Sequence, residues 1–201
     1  MTTEILQGYL PLFLLLYLFF TFVLPSYRVY RQTGINPVTF GKSDTAHDYI
    51  GRLMKVVTGL LLAVVLLFSF GSKGYRYAVP VDYLQQGAVQ TAGLVLMHLS
   101  LGWILVAQYQ MRQAWRIGID ESHPTALVTA GVFRLSRNPV FLGMLLSLLG
   151  IFLVLPNALT LVVLVASYIL IQVQIRLEEA YLLRQHGQAY AEYRSQVRRL
   201  V

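Results

Sequence analysis

The stretch that decides the fold is Pro139–Glu179, PVFLGMLLSLLGIFLVLPNALTLVVLVASYILIQVQIRLEE. Its two apolar runs are separated only by Pro156-Asn157, a pair that favours a turn. Two apolar helices joined by so short a turn run antiparallel, so the stretch predicts a helical hairpin. At 1.5 Å per residue the first helix climbs about 25 Å, and the second needs a similar length to return. The acidic pair Glu178-Glu179 is therefore expected within about one turn of the depth of Arg137.

The rest of the chain is also apolar. Of its 201 residues 56% are hydrophobic and 12% charged, with a mean hydropathy of +0.59. This composition argues against an ordinary soluble domain and indicates an integral membrane protein. We predict an all-α, polytopic membrane protein, a single membrane domain over residues 1–201, with three N-terminal spans within residues 1–111. The tail is expected to be a helix at the cytoplasmic face, broken near Gly187. The five predicted transmembrane helices are about 8–26, 53–71, 88–110, 139–155 and 158–177.

The basic residues divide unequally between the two ends of these spans. Of the 16 Lys and Arg residues, 14 lie in the 26–55 connection, the 111–138 connection and the C-terminal tail, and the opposite side holds only Lys73 and Arg76. The positive-inside rule then puts the N-terminus outside and the C-terminus in the cytoplasm, in the inner (cytoplasmic) membrane. Charge clustered beside apolar spans indicates contact with membrane lipids and not with nucleic acid. The N-terminus has no positive n-region, so we expect no cleavable signal peptide.

The start of the hairpin is basic and suited to bind an anion. Pro139 fits the first turn of a helix because it has no N–H to leave unbonded. The N–H groups that follow and the helix dipole favour a negative group there, and Arg134 and Arg137 add positive charge. Gly131 and Gly143 permit close approach of the backbone. Together these residues are a candidate cradle for a carboxylate or a phosphate.

The two glutamates admit two interpretations. Carboxylates at that depth are costly unless they are paired or solvated. One interpretation is an Arg–Glu salt bridge that only locks the hairpin. The other is a site for a ligand that carries both a carboxylate and a positive charge and uses the arginine and the glutamates together.

These motifs resemble a membrane methyltransferase superfamily, the isoprenylcysteine carboxyl methyltransferases and phospholipid N-methyltransferases, and most of all its bacterial members with Arg-Asn-Pro. The resemblance covers about residues 123–197. The chain departs from the family pattern where Asn138 replaces a histidine and Phe133 and Phe141 replace tyrosines. Asn does not titrate near neutral pH, so a general base at that position is not expected. The matching positions are Leu127-Val128, Gly131, Phe133, Arg137-Asn138-Pro139, Phe141, Gly143, Glu178-Glu179, Leu182, Gly187, Tyr190 and Tyr193.

The resemblance implies an enzyme that uses S-adenosylmethionine, with residues 112–201 as its cofactor-binding methyltransferase core. The loop and helix start would hold the methionyl and adenosyl parts, and one glutamate would bind ribose hydroxyls or the amino group. Methyl transfer from a sulfonium needs alignment more than acid or base groups, and no catalytic residue is assigned. The implied cofactor-binding residues are His123, Val128, Gly131, Phe133, Arg137, Asn138, Pro139, Phe141, Gly143, Glu178 and Glu179.

Four further residues are candidates for binding the methyl acceptor: His98, Arg112, Trp115 and Arg116. His98 is an ionisable group inside a span, which suggests a function, and a hydrogen bond between helices is the alternative. The other three either orient an anionic acceptor or anchor the protein at the membrane interface. His123 lies either on the cofactor side or in an ordinary loop.

The sequence also predicts structural roles for the remaining histidines and for several glycines. His47 and His186 are expected to be solvated, and the histidines do not have the spacing of metal ligands. The chain contains no cysteine, which excludes disulfides and thiolate metal sites. Four glycines within the second and third spans are expected to allow close helix packing. These are Gly51, Gly59, Gly93 and Gly102.

We therefore expect a methyltransferase whose acceptor is lipophilic, an isoprenylcysteine-type carboxylate or a related lipid. A phospholipid, another amine or a thiol is the alternative within the superfamily, although an amine must first lose a proton and no base is evident. A non-catalytic membrane scaffold or lipid-binding protein is the alternative from another class. A nicotinamide-dependent reductase is a third possibility, against which the short chain of 201 residues argues.

Overall fold

The computed structural model describes residues 2–40 and 44–201; Lys42, one of the basic residues counted above, lies outside them. Within these ranges there is no β-strand, and the prediction of an all-α fold is confirmed. The α-helices are α1 Thr3–Leu18, α2 Leu24–Thr33, α3 Ala46–Phe70, α4 Ser72–Tyr75, α5 Gly87–Met111, α6 Pro139–Val154, α7 Ala158–His186 and α8 Gln188–Gln196. A π-helical turn spans Phe19–Val23, and 3-10 turns span Arg76–Ala78, Asp82–Leu84, Arg112–Ala114 and Gly131–Arg134.

Four helical stretches are long and apolar enough to cross a membrane. They are Thr3–Thr33, Ala46–Phe70, Gly87–Ala114 and Ala158–His186. The fourth predicted span, α6, is apolar but has only 16 residues. The chain is thus an integral membrane protein whose five apolar helices correspond to the predicted spans. The bounds differ most at the first span, which begins at Thr3 and runs on to Thr33.

The first span is continuous because a π-helical turn accommodates a proline. Pro25 has no N–H to donate to the carbonyl of Thr21 one turn earlier, and the widened turn Phe19–Val23 lies immediately before it. The carbonyl oxygen of Thr21 instead accepts a hydrogen bond of 2.6 Å from Nε2 of Gln108 on α5. This bond ties α1 to α5 inside the bundle.

Helices α5 and α6 pack closely through small residues. A Cβ atom at Gly93 would lie 2.7 Å from the carbonyl oxygen of Gly150, and a Cβ at Gly150 would lie 2.8 Å from that of Gly93. The hydroxyls of Ser100 and Ser147 form a buried hydrogen bond of 2.7 Å across the same interface. Only residues without bulky side chains permit this approach of two backbones.

The other glycines divide into close contacts and open positions. Gly143, expected at the cofactor, lies in the α5–α6 interface, where a Cβ would be 2.4 Å from Ile104. Gly51 is close to the ring of Phe40. The expectation of close packing is wrong for Gly59 and Gly102, because a Cβ at either would meet no atom within 4 Å.

The predicted hairpin turns at Pro156-Asn157 and is fixed by a helix cap. Oδ1 of Asn157 accepts from the N–H of Thr160 at 2.9 Å, and the N–H of Asn157 donates to Oγ1 of Thr160 at 3.3 Å, which is a reciprocal capping box. The return helix α7 runs on to His186, and Gly187 (φ +52°) separates it from α8, as predicted. Both ends of the hairpin therefore reach the same face of the bundle.

Segment 117–120 lies between α5 and α6. It forms hydrogen bonds with residues that precede α3 and with one residue in the first turn of α3. The N–H of Ile117 donates to the carbonyl of Pro37 at 2.8 Å, and the N–H of Thr39 donates to the carbonyl of Ile117 at 3.0 Å. Nε2 of His47 accepts from the N–H of Ile119 at 2.9 Å. The expectation that His47 is solvated is wrong, because its imidazole is needed to satisfy this backbone donor.

Candidate functional site

A small polar cavity lies where the irregular segment after α5 meets α7 and α8. Its volume is about 130 Å³. Segment 114–128 forms one side, and the ends of the hairpin away from its turn, with two tyrosines of α8, form the other. Its walls are Met111, Ala114, Arg116, Gly118, Ile119, Asp120, His123, Thr125, Ala126, Leu127, Val128, Phe133, Arg137, Glu178, Tyr181, Leu182, Tyr190 and Tyr193.

Glu179 lies behind this cavity between two arginines. Its carboxylate, 4% exposed, accepts hydrogen bonds of 2.8 Å from Nη2 of Arg137 and 2.8 Å from Nη2 of Arg199. Nε of Arg137 donates to the same carboxylate at 3.1 Å. This is the salt bridge weighed as one interpretation of the acidic pair, with a second arginine that the sequence did not suggest.

The Arg137-Asn138 motif is bonded to the C-terminal tail. Arg137 donates from Nη1 to the carbonyls of Arg194, at 2.9 Å, and of Val197. Nδ2 of Asn138 donates to the carbonyl of Arg199 at 3.0 Å. The amide of Asn138 therefore has a structural partner, in keeping with a residue that cannot act as a base.

Glu178 differs from its neighbour in its surroundings. Its carboxylate lines the polar cavity and accepts one hydrogen bond, 2.8 Å, from Nε2 of Gln174. No cation pairs with it in the described part of the chain. Gln174 is 1% exposed, and its Oε1 is buried with no hydrogen-bond partner among the described residues. A carboxylate on the cavity wall that accepts a single hydrogen bond has capacity left for a ligand that donates hydrogen bonds.

Asp120 organises the segment on the opposite wall. Its carboxylate accepts from the N–H groups of Ser122 and His123 at 3.1 Å each, and from Nε of Arg116 at 3.2 Å. Its carbonyl accepts from the hydroxyl of Tyr181 at 2.8 Å, which joins the segment to α7. Burial raises the pKa of Asp120, but the hydrogen bonds from His123 and Arg116 outweigh it and hold the pKa below its ordinary value.

The tyrosines of α8 close the cavity from the tail. The hydroxyl of Tyr193 donates to the carbonyl of Phe133 at 2.6 Å. Burial, reinforced by the nearby charge of Glu179, raises the pKa of Tyr190 to about 12. Burial likewise raises the pKa of Tyr193 to about 12. Both phenols therefore remain protonated donors across the physiological range.

A larger, basic groove of about 1180 Å³ adjoins the polar cavity. Arg28 of α2 and Arg112 at the end of α5 line it, without an ion-pair partner among the residues described. The described residues that line the groove include no carboxylate, so it attracts anionic groups. Arg112 adopts φ +49°, a conformation rare outside glycine and concentrated at functional sites. The wall common to groove and cavity consists of Met111, Ala114, Arg116, His123, Thr125, Ala126 and Val128.

The predicted cofactor residues separate into two sets. Those that line the polar cavity are His123, Val128, Phe133, Arg137 and Glu178. Those outside its walls are Gly131, Asn138, Pro139, Phe141, Gly143 and Glu179. Gly131, with φ +63°, supports the wall indirectly, since a Cβ there would collide with Gln110, whose Oε1 accepts from the N–H of Val132 at 2.9 Å.

Three of the four candidate acceptor residues line the basic groove, and the fourth lies elsewhere. Arg112, Trp115 and Arg116 line the basic groove. His98 lies elsewhere, hydrogen-bonded through Nε2 to the hydroxyl of Tyr9 at 2.7 Å, which is the interhelical alternative. Sequence reasoning missed Gln174 and Arg199. Nothing in the sequence distinguishes Gln174 from other polar residues of a helix. Arg199 is distant from Glu179 in the sequence, and only the folded tail brings the two together.

The fold and the site together define an integral membrane protein with a polar cavity and a basic groove at one end of its helices. Residues 89–189, just over half of the chain, match the phospholipid methyltransferase family. The chain belongs to this family, within the membrane superfamily that the sequence motifs indicated. Comparison with curated proteins gave no match.

Proposed function

We propose that the protein transfers a methyl group from S-adenosylmethionine to a lipophilic acceptor at the cytoplasmic face of the inner membrane. The observation that carries the proposal is Glu178, a carboxylate of the polar cavity that no cation in the described chain neutralises. Because it accepts only one hydrogen bond, from Gln174, this carboxylate suits a ligand that presents an ammonium or hydroxyl groups. The cofactor has both, on its methionyl end and its ribose.

The residues that line the polar cavity can make the contacts that the cofactor needs. The cofactor is larger than this cavity, so it would also occupy part of the groove. When bound, it supplies an electrophilic methyl group on a sulfonium, whose transfer depends on alignment. Glu178 would accept its hydrogen bonds, and Val128 and Phe133 would give apolar contact. The cavity of about 130 Å³ is small beside ordinary ligand pockets of about 300–1,000 Å³. The remainder of the cofactor would extend along the wall shared with the groove, past His123 and Arg116.

The basic groove is the proposed acceptor site. Arg28 and Arg112 would bind an anionic group of the acceptor and hold it beside the shared wall. An isoprenylcysteine-type carboxylate meets this requirement and would also be the nucleophile. A phospholipid amine is the second candidate, favoured by the family match, because the same arginines would bind its phosphate. In that case the amine must lose its proton before transfer.

Ligand binding by the wild type and by Glu178→Gln tests the cofactor site. S-Adenosylhomocysteine should raise the Tm of the purified protein in detergent, since at 100 times its Kd a ligand adds about 2.7 kcal/mol of stability. Glu178→Gln should lose this increase while keeping an unchanged Tm without ligand. Methyl-labelled S-adenosylmethionine with a total lipid extract should then give a labelled lipid that identifies the acceptor.

Two outcomes would contradict the proposal. If neither S-adenosylmethionine nor S-adenosylhomocysteine changes the Tm, a lipid-binding or scaffold protein is favoured. If NADPH binds and S-adenosylhomocysteine does not compete with it, a reductase is favoured. An unchanged cofactor affinity in Glu178→Gln would remove Glu178 from the site.

A further inference from the structure

A second, apolar cavity lies inside the bundle among α1, α3, α6 and α7. Its volume is about 400 Å³, and its walls are aliphatic and aromatic apart from a few hydroxyls and one charge. Along α3 the walls run from Gly51 to Leu62, which is about 16 Å at 1.5 Å per residue. On α7 they run from Val163 to Ile171. A long apolar space within the spans suits a hydrocarbon chain and not a polar solute.

Among the described residues, the one charged side chain of this wall is that of Lys55. Its side chain is exposed and has no ion-pair partner among the residues that the structure describes. Within the described ranges, no carboxylate lines the cavity. The next basic residue on α3, Arg52, is already paired with Asp44 at 3.5 Å. An ammonium at the mouth of an apolar cavity favours a chain that ends in an acidic group.

Gly59 leaves an opening in the same wall. It is exposed, and a Cβ built on it would meet no atom within 4 Å. A chain therefore has a lateral route into the cavity between α3 and its neighbours. The same geometry means that the Cβ of a larger side chain at Gly59 meets no described atom, and the rest of that side chain would occupy the opening.

The end of the apolar cavity near its mouth borders the polar cavity. Phe40 and Ile117 form this end. The ring of Phe40 stacks on the imidazole of His47 at 4.3 Å, and Nε2 of His47 accepts from the N–H of Ile119 at 2.9 Å. Gly118 and Ile119 line the polar cavity. One continuous set of contacts therefore joins the apolar wall to the polar wall.

We propose that the apolar cavity binds the hydrocarbon chain of an anionic, single-chain amphiphile whose acidic group meets Lys55, and that this binding tightens cofactor binding through Ile117–Ile119. The second part rests on the proposed function; the first does not. A chain packed against Phe40 and Ile117 orders the segment that also forms the cofactor wall. Each ligand then reduces the ordering cost of the other, and the coupling is reciprocal.

Photolabelling tests the lipid site. The wild-type protein in phosphatidylcholine nanodiscs is exposed to diazirine-bearing palmitate or cetyl alcohol, and the labelled peptides are mapped by mass spectrometry. Label is expected on the cavity faces of α3 and α7. Gly59→Leu should lose most of it, whereas Gly102→Leu, at an equally open position outside the cavity, should not. Lys55→Gln should reduce labelling by palmitate about fivefold without affecting cetyl alcohol.

Labelling that is equal in Gly59→Leu and wild type, or that falls outside the cavity, would overturn the lipid site. A palmitate signal unchanged by Lys55→Gln would overturn the choice of an anionic ligand.

Calorimetry in the same nanodiscs tests the coupling. Palmitate should lower the Kd of S-adenosylhomocysteine about fivefold in the wild type. His47→Ala should keep palmitate labelling and lose most of this effect, and His47→Leu serves the same purpose if the alanine variant does not fold. A Kd that palmitate leaves unchanged in the wild type overturns the coupling. If S-adenosylhomocysteine binds in no condition, the proposed function and the coupling both fail, and the labelling pattern still decides the lipid site.

Discussion

Glu178 and Glu179 are adjacent in sequence but belong to different parts of the molecule. Successive residues of a helix point about 100° apart, since a turn contains 3.6 residues. One carboxylate therefore meets Gln174 and the polar cavity, and the other meets Arg137 and Arg199. The sequence predicted both at the correct depth but could not distinguish them, because depth is the same for neighbours and direction depends on where the tail packs.

Glu179→Gln should destabilise the protein more than Glu178→Gln. Removing one partner of a buried ion pair leaves Arg137 as an uncompensated charge, a loss on the order of 3 kcal/mol. Arg199, with a third of its side chain exposed (33%), recovers part of its solvation and moderates the loss. The measurement is the Tm of both variants in the same detergent. Equal Tm values would show that the salt bridge adds no net stability.

The carboxylate of Asp120 gives the segment beside the cavity a pH dependence. Its pKa is lower in the folded protein than its ordinary value of about 4, because the hydrogen bonds from His123 and Arg116 outweigh the effect of burial. A depressed pKa contributes stability that is present above the ordinary value and lost as the pH falls through the folded one.

Wild type should therefore be more stable than Asp120→Asn near neutral pH, and the difference should narrow below about pH 4. Thermal melts of both proteins across pH 3–7 measure this difference. A gap that stays constant over the whole range would assign the effect of the substitution to packing and not to charge.

At the level of elements, the hairpin was predictable and its packing partner was not. The apolar runs and Pro156-Asn157 define the start of both helices and the end of α6 within one residue, because both signals are local. Helix α7 continues to His186, beyond the predicted span that ended at residue 177. The contact of α6 with α5 depends on pairs of small residues distant in sequence, so no local pattern predicts that Gly143 faces Ile104. The tail contacts Arg137 and Asn138 largely through carbonyl groups, which leave no mark in the sequence.

Gly150→Ala should separate α5 from α6. Its new Cβ would lie 2.8 Å from the carbonyl oxygen of Gly93 and 3.0 Å from the N atom of Met97, and backbone atoms cannot rotate away. We expect a loss of about 2 kcal/mol, typical of overpacking, seen as a lower Tm. Gly102→Ala on α5 is the matched control, since its Cβ meets nothing. A Gly150→Ala protein as stable as the control would contradict this account of the interface.

Over the whole molecule, residues outside the family match complete the site. The match begins at residue 89, yet Arg28 lines the basic groove and His47 holds Ile119. His47 and Ile119, which are hydrogen-bonded, are 72 positions apart in the sequence. Sequence patterns report local periodicity and spacing, so the N-terminal spans were recognised as apolar helices without any role in the site.

The two ends of the bundle should face opposite compartments. The Asp82–Leu84 turn lies at the end where the hairpin turns, since the N–H of Val81 donates to the carbonyl of Pro156 at 2.9 Å, and α8 lies at the other end with the site. Because the chain has no cysteine, Tyr83→Cys and Ser195→Cys provide single exposed thiols. In right-side-out membrane vesicles an impermeant maleimide should label only Tyr83→Cys, and both after lysis. The reverse pattern would place the polar cavity outside the cytoplasm, away from the compartment that the positive-inside rule assigns to it.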